Sequence, residues 1–297
     1  MHDAIVIGGS FAGHSAAMQL ARARQDVLLI DAGAPRNRFA DAAHGFLGLD
    51  GKAPHAIMRK ATCQLLEYPT AEVLSAEVQN AVHVDDHFIL RLASGLTRQA
   101  KRLVLATGVT DILPDIPGMA ERWGKTVLHC PYCHGYEVRD HSLGIIANHP
   151  MSAHQAALIP DWGPAVYFTQ GIHEPAPEQA ELLERRGVAI ERTPVIALLG
   201  ESPGLRAVKL ADGRTIDVAA IFTAPRTRQT STIAEDLGCT MEGGPTGPFV
   251  KVDVWGLTSV SGVHAAGDAT SPMHNATIAS ASGVLAGIGA HQSLVLF

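Results

Sequence analysis

Cys130 and Cys133, separated by two residues and followed directly by His134, are the side chains of this sequence best placed to do chemistry. A Cys-x-x-Cys pair closes a very small ring, so it passes between dithiol and disulfide with little rearrangement. Such exchange needs a thiolate and a proton carrier, and a neutral imidazole beside the pair can take a proton from a thiol. Other readings compete. Cys-x-x-Cys-His is also the attachment motif of c-type haem, but that needs export and an axial partner, and neither is signalled. A zinc site needs a second close ligand pair, and none has the spacing, so no metal is expected. A structural disulfide is disfavoured by the redox poise of a cytoplasm. The plain alternative for His134 is a solvent-facing ring with no catalytic part.

The elements around the pair predict an α/β fold. Ala4 to Ile7 is a short apolar run that ends in Gly8-Gly9-Ser10-Phe11-Ala12-Gly13. A helix-compatible stretch follows from His14 to Ala23, and Asp26 to Asp31 reads as a second buried parallel strand. Strand, glycine turn, helix, strand ending in an acid is the first unit of a dinucleotide fold. Gly8 and Gly13 hold the first and third fingerprint positions, and Ser10 takes the second, where glycine is usual. Asp31, 23 residues after Gly8, suits a ribose hydroxyl. Near the other end, Val260 to Asp268 is a strand running into Gly267-Asp268. With Ala106-Thr107-Gly108 added, the pattern points to FAD, and to a redox pair that exchanges electrons with it.

An internal repeat shows a second module. Leu92 through Ala106 aligns without gaps on Leu210 through Ala224, each copy being strand, turn, strand. Leu113 to Gly118 reads as the linker out of the first module, and Glu242 to Pro248 as the linker back. The expected organisation is therefore two Rossmann-like domains. Residues 1–114 and 244–297 form an FAD-binding domain, and 115–243 form an inserted nicotinamide-type domain that carries the cysteines.

Composition sets outer bounds. The 297 residues are 46% hydrophobic and 18% charged, enough for two domains of about 100–150 residues. A net charge of −6 without a basic block argues against a nucleic-acid partner. The longest apolar runs look broken by Gly, Asp or Arg short of the roughly 18 residues of a membrane span. No secretory signal is visible, so a cytoplasmic location is expected. Cys63 and Cys239 stand alone in helix-like segments and read as small buried apolar residues. Most of the 15 histidines show no metal-ligand spacing.

The chain resembles the low-molecular-weight thioredoxin reductase family over nearly its whole length. It shares the FAD fingerprint, the Ala-Thr-Gly turn, the inserted Cys-x-x-Cys and the terminal Gly-Asp, in that order. Cys130 to Glu137 (Cys-Pro-Tyr-Cys-His-Gly-Tyr-Glu) is closer to the branch with dithiol oxidases of the gliotoxin type, which need no NADPH. The resemblance implies that Cys133 faces the flavin and Cys130 exchanges with substrate. It also implies a homodimer, and a small-molecule or protein dithiol or disulfide as substrate. It sets His134 where reductases of the family carry Asp, and His274-Asn275-Ala276 where they carry Arg-Gln-Ala, so Asn275 and Ala276 join the cofactor set.

The nicotinamide site looks dismantled. Aligned on the family, Ala147 and His149 stand where the first two glycines belong, and Pro150 removes an N–H. Gln170 to Pro175 offers no cation for a 2′-phosphate, and Ala224-Pro225-Arg226 replaces an Ala-Thr-Gly turn. A charge-assisted hydrogen bond to a phosphate is worth roughly 1.5–3 kcal/mol, so a site without two or three of them binds NADPH far more weakly. NADPH is therefore a doubtful cofactor. The reading that results is an FAD-dependent thiol–disulfide oxidoreductase that oxidises a dithiol, with oxygen as terminal acceptor. The rivals are an NADPH-dependent disulfide reductase and a non-catalytic flavin redox sensor.

Overall fold

The computed structural model describes residues Met1–Leu296 as two compact units. The first contains Met1–Arg38, Pro54–Thr110 and the described residues from Thr227 on, and the second contains Phe39–Ala53 and Asp111–Arg226.

The first unit is built on a parallel core. Strands Ala71–Ser75, Val27–Asp31, His2–Ile7 and Thr97–Leu105 lie side by side in that order, and Val263–Ala265 joins Thr97–Leu105. Strand Thr97–Leu105 does two jobs. Its first half pairs antiparallel with His87–Leu92, itself paired to Val78–Val84, and its second half lies between parallel neighbours. This is the small antiparallel insertion that the alternating pattern after Ala76 predicts.

Successive side chains of a strand face opposite sides, and the burial divides accordingly. Ile5, Ile7, Leu28 and Ile30 pack with Phe88, Leu90 and Leu92 of the meander. Ala4, Val6, Val27 and Leu29 pack with Ala12, Ala16 and Leu20 of the helix Phe11–Arg22. Strands covered on both faces read as continuous apolar runs, and each fully buried Ile or Leu contributes ~1.5–3 kcal/mol.

The last helix, Ala276–Leu296, overturns one expectation. Glycine does not interrupt its apolar run, and the helix is long and apolar enough to cross a membrane by length and composition. Its glycines serve packing. A Cβ on Gly283 would come within 2.1 Å of the Ala12 carbonyl oxygen, and one on Gly287 within 2.6 Å of that of Ala16. Small residues four apart thus let this helix lie directly on the helix Phe11–Arg22.

The second unit repeats the plan. Five parallel strands run in the order Ala189–Glu191, Ala165–Phe168, Leu143–Ile146, Ala220–Phe222, Val127–Leu128. A three-stranded antiparallel meander, Val195–Leu199, Ala207–Leu210 and Thr215–Asp217, accompanies them. The internal repeat extends to the hydrogen bonds of the turns. Leu92 N–H donates to Leu96 C=O and Leu210 N–H to Arg214 C=O, both at 2.9 Å. Gly95 and Gly213 donate to Leu92 and Leu210 with φ of 85° and 92°.

Besides the loop Phe39–Ala53, which enters and leaves the second unit at 38/39 and 53/54, the crossings between units fall at residues 110/111 and 226/227. They lie in strands Val109–Ile112 and Arg226–Gln229, which pair with each other. The Gly-Pro segment read as the returning linker is instead a hairpin. Met241–Gly243 pairs antiparallel with Pro248–Val250, and Val250 and Met241 pack in the core of the first unit. Cys63 also departs from expectation. It lies on the outer face of helix Pro54–Leu65 and is exposed, whereas Cys239 is buried.

Candidate active site

In the first unit, the ends of adjacent parallel strands gather the expected cofactor residues. Gly8 follows His2–Ile7, Ala106-Thr107-Gly108 follow Thr97–Leu105, and Gly267-Asp268 follow Val263–Ala265. The carboxyl ends of parallel strands are where open α/β sheets bind ligands. Ala106 N–H donates to Ile7 C=O and Ala266 N–H to Leu105 C=O, which fixes the three turns side by side.

Two glycines here have no substitute. Gly8 has φ +105°, and a Cβ on it would stand 2.2 Å from the Ala106 carbonyl oxygen. A Cβ on Gly13 would stand 1.7 Å from the Gly8 carbonyl oxygen. The helix Phe11–Arg22 therefore starts pressed onto the strand end, with Ser10 at its N-cap and no hydrogen bond from the Ser10 side chain to the helix. That leaves a bare helix entrance of the kind that holds a pyrophosphate.

Asp31 Oδ1 accepts the Gly9 N–H at 3.0 Å, so the acid that suits a ribose also braces the glycine turn. Asp268 Oδ2 accepts from Arg36 Nη1 at 2.9 Å, with both side chains about one-fifth exposed. Arg36 carries no sequence signal for this role, because its partner lies 232 residues away. Asn275 Oδ1 accepts the N–H groups of Thr277 and Ile278, so Asn275 caps the last helix, and Ala276 is that helix's first residue. The cradle fits a dinucleotide, since its floor is built where no Cβ could stand.

In the second unit, Val127–Leu128 leads into Cys130, the N-cap of the short helix Pro131–His134. The amides of Cys133 and His134 both donate to Cys130 C=O at 3.2 Å. The turn brings Cys133 Sγ to 2.8 Å from Cys130 Sγ, and a disulfide of ~2.05 Å needs only a small further approach. The hydrogen bond from the Cys133 thiol is the largest influence on Cys130. It outweighs burial and, with the amides of Cys133 and Tyr132, pulls the Cys130 thiol down to about 7. Cys130 is thus substantially a thiolate at neutral pH. Gly135 packs against the Trp162 ring, where a Cβ would come within 2.8 Å.

His134 is half-buried. Burial pushes its imidazole below the usual range, His44 adds to that, and Glu137 opposes it. His134, Glu137 and His44 line one cavity of about 330 Å³ within the second unit, with Asp41, Lys125 and Thr126 among its other walls. His44 and Glu137 escaped the sequence reading. Glu137 lies in the quoted motif, but nothing local to His44 announces its place there. Among the described residues no His, Cys, Asp and Glu cluster could hold a metal.

At the second glycine-type turn, after Leu143–Ile146, a closed structure stands instead of a cradle. Ser152 is fully buried, and its Oγ accepts the amides of Asn148 at 3.1 Å and His149 at 3.4 Å. Met151 N–H donates to His149 Nδ1 at 3.1 Å. The His149 ring is only 3% exposed. Burial, with His173 and Arg226 adding, pushes its pKa below the imidazole range, so the ring is neutral at neutral pH.

The model of the pyridine nucleotide-disulphide oxidoreductase family matches residues 2–154 and 165–283. Among curated relatives, thioredoxin reductase tcpT of Claviceps purpurea is 33% identical, over 99% of this chain and 94% of its own length. Thioredoxin reductase sirT of Leptosphaeria maculans is 30% identical, over 97% and 92%. Among solved structures, an oxidoreductase from Agrobacterium tumefaciens is 46% identical with a TM-score of 0.94, covering 99% of this chain and 98% of that one. The resemblance to thioredoxin reductases and the two-domain Rossmann-like fold both hold. Thioredoxin reductases of this family are flavoproteins that bind FAD.

Proposed function

The chain belongs to the pyridine nucleotide-disulphide oxidoreductase family and is an oxidoreductase acting on thiols and disulfides; from that premise we propose that it binds FAD and oxidises a dithiol through Cys130 and Cys133, with oxygen as terminal acceptor and without NADPH. One observation carries the last part. The turn that would grip the nicotinamide pyrophosphate spends its amides on Ser152 and His149.

Gly8, Ser10, Gly13, Asp31, Thr107, Gly108, Gly267, Asp268, Asn275 and Ala276 would hold the FAD. Bound there, FAD supplies a two-electron acceptor that oxygen can regenerate, with hydrogen peroxide as product. The chain's own residues do the thiol chemistry. A substrate thiol gives its proton to His134 and attacks Cys130 of the disulfide, and Cys133 leaves as thiolate. The second substrate thiol then attacks the substrate sulfur of the mixed disulfide. The substrate leaves as disulfide and Cys130 as thiolate, which a pKa of about 7 favours. Cys133 passes the two electrons on, and the pair returns to disulfide. The proposal includes a cytoplasmic homodimer taking a small-molecule or protein dithiol.

Anaerobic titration tests it. Dithiothreitol should bleach the flavin and air should restore it, while NADPH should leave the spectrum unchanged. Stoichiometric bleaching by NADPH would return the chain to the reductases, and a flavin inert to dithiol would make it a sensor.

A further inference from the structure

Oxidation of a dithiol frees two protons at the disulfide; reduced flavin would take up one with the electron pair, and the other must leave a half-buried place in which His134 can hold it only briefly. Where that proton goes next is written in the cavity beside it. Glu137 follows His134 by one helical turn, and both line the same 330 Å³ space. His44 Nε2 stands 3.5 Å from Glu137 Oε1, and His44 Nδ1 stands 3.5 Å from Asp50 Oδ1. The His44 side chain is 24% exposed, Glu137 41% and Asp50 69%, so both carboxylates reach water and the less exposed His44 ring bridges them.

His44 is held in place. Its loop closes on itself, with Ala43 N–H donating to Lys52 C=O at 2.8 Å and Gly51 N–H to Ala43 C=O at 2.9 Å. Asp50 Oδ1 accepts the Gly45 N–H at 2.8 Å, which fixes the carboxylate facing the ring. The other charged groups on this cavity, Lys125 and Asp41, are paired with each other. They leave Glu137, from its own segment, and His44, from the Phe39–Ala53 loop, as the groups facing His134, with Asp50 against His44.

We propose that Glu137 and His44 are the proton outlet of the dithiol site, with Asp50 as the residue that positions His44. His134 takes the proton of the attacking substrate thiol and becomes imidazolium. The Glu137 carboxylate receives that proton, His44 takes it from Glu137 through Nε2 while its Nδ1 proton leaves toward Asp50, and water receives it there. Each transfer restores a neutral His134, ready for the second substrate thiol. No electron moves in this relay. It rests on the reading of His134 as proton carrier.

The test uses the FAD-loaded protein in stopped flow, mixing with dithiothreitol without oxygen and following flavin bleaching and, in weak buffer with an indicator dye, proton release. Glu137→Gln should slow bleaching about 10²-fold, the low end of the range for a proton-transfer group, and delay proton release behind it. It should also move the pH midpoint of the rate down, because Glu137 is the group that holds the His134 pKa up. His44→Gln should slow proton release as well, yet move the midpoint up, because His44 holds that pKa down. Asp50→Asn should keep the midpoint and lose part of the rate. Retained FAD absorbance identifies folded variants, and any one of the three suffices. Midpoints and proton release unchanged in a folded Glu137→Gln or His44→Gln, alongside a slow His134→Ala, would overturn the outlet alone. A fast His134→Ala would overturn the proton-carrier reading and the outlet with it.

Discussion

Ser152 Oγ accepts the amide of Asn148 at 3.1 Å, and the side chain that does so is wholly buried. An amide already paired in the interior cannot also bind phosphate without breaking that bond. NADP⁺ should therefore show no saturable binding by calorimetry up to about 1 mM, a limit corresponding to ~4.1 kcal/mol. Binding in the micromolar range would mean that the turn opens.

The two cysteines should separate by colour. Cys130→Ser leaves Cys133 as the lone thiol of the pair and should show long-wavelength charge-transfer absorbance with the flavin. Cys133→Ser should lack it. The reverse result would exchange their roles and the order of the thiol steps.

His134→Ala should lower dithiol turnover about 10²–10⁴-fold, the range for a general base, with FAD retained. Burial holds the ring's pKa below its ordinary value. The base is therefore neutral, and competent, at any pH above that lowered value. In the native protein the rate should rise with pH in a window below ~6.5 and be level above it. The variant should lose that rise. A midpoint above 7 would contradict the direction of the shift.

His264, in strand Val263–Ala265, is 1% exposed and has its Nδ1 buried without a hydrogen-bond partner. Burial pushes its pKa down to about 4, against ~6.5 in an unfolded chain. The unfolded state thus gains its proton first as pH falls. Stability is full above pH ~6.5 and should decline by about 3 kcal/mol toward pH 4. His264→Leu should flatten that part of the acid limb in urea titrations at pH 7, 5.5 and 4.5. Parallel curves for native and variant would assign the acid sensitivity elsewhere.

What the sequence made legible was local or periodic. The apolar runs at Ala4 to Ile7 and Leu143 to Ile146 are strands because both faces of each are covered, and such burial is written in consecutive residues. The repeat at Leu92 and Leu210 was visible because a turn fixes residue types over a short span. The glycine cradle was legible for the same reason. The pairing of Arg36 with Asp268 was not, since two charges far apart in the chain carry no mark of each other. Cys63 was misjudged because a helix has an outer face, and one residue does not say which face it occupies. The apolar length of the last helix was misjudged because its glycines were counted as breaks, whereas they lie inside one continuous helix where it packs on Ala12 and Ala16. The closing of the Asn148 turn by Ser152 was half legible. Missing glycines announced it, but the hydroxyl that replaced the phosphate did not.

The loop Phe39–Ala53 lies between stretches of the first unit in the chain, yet belongs by its packing to the second. The second unit is therefore not a cassette. Cutting out Asp111–Arg226 and grafting it into another host would carry both cysteines and His134, but leave His44 and Asp41 behind and strip one wall from the cavity. Such a chimaera would keep the thiols and lose the surroundings that give them direction. Exchange of this module between relatives by recombination would thus require two matched crossover segments, and a change in one would select for a change in the other.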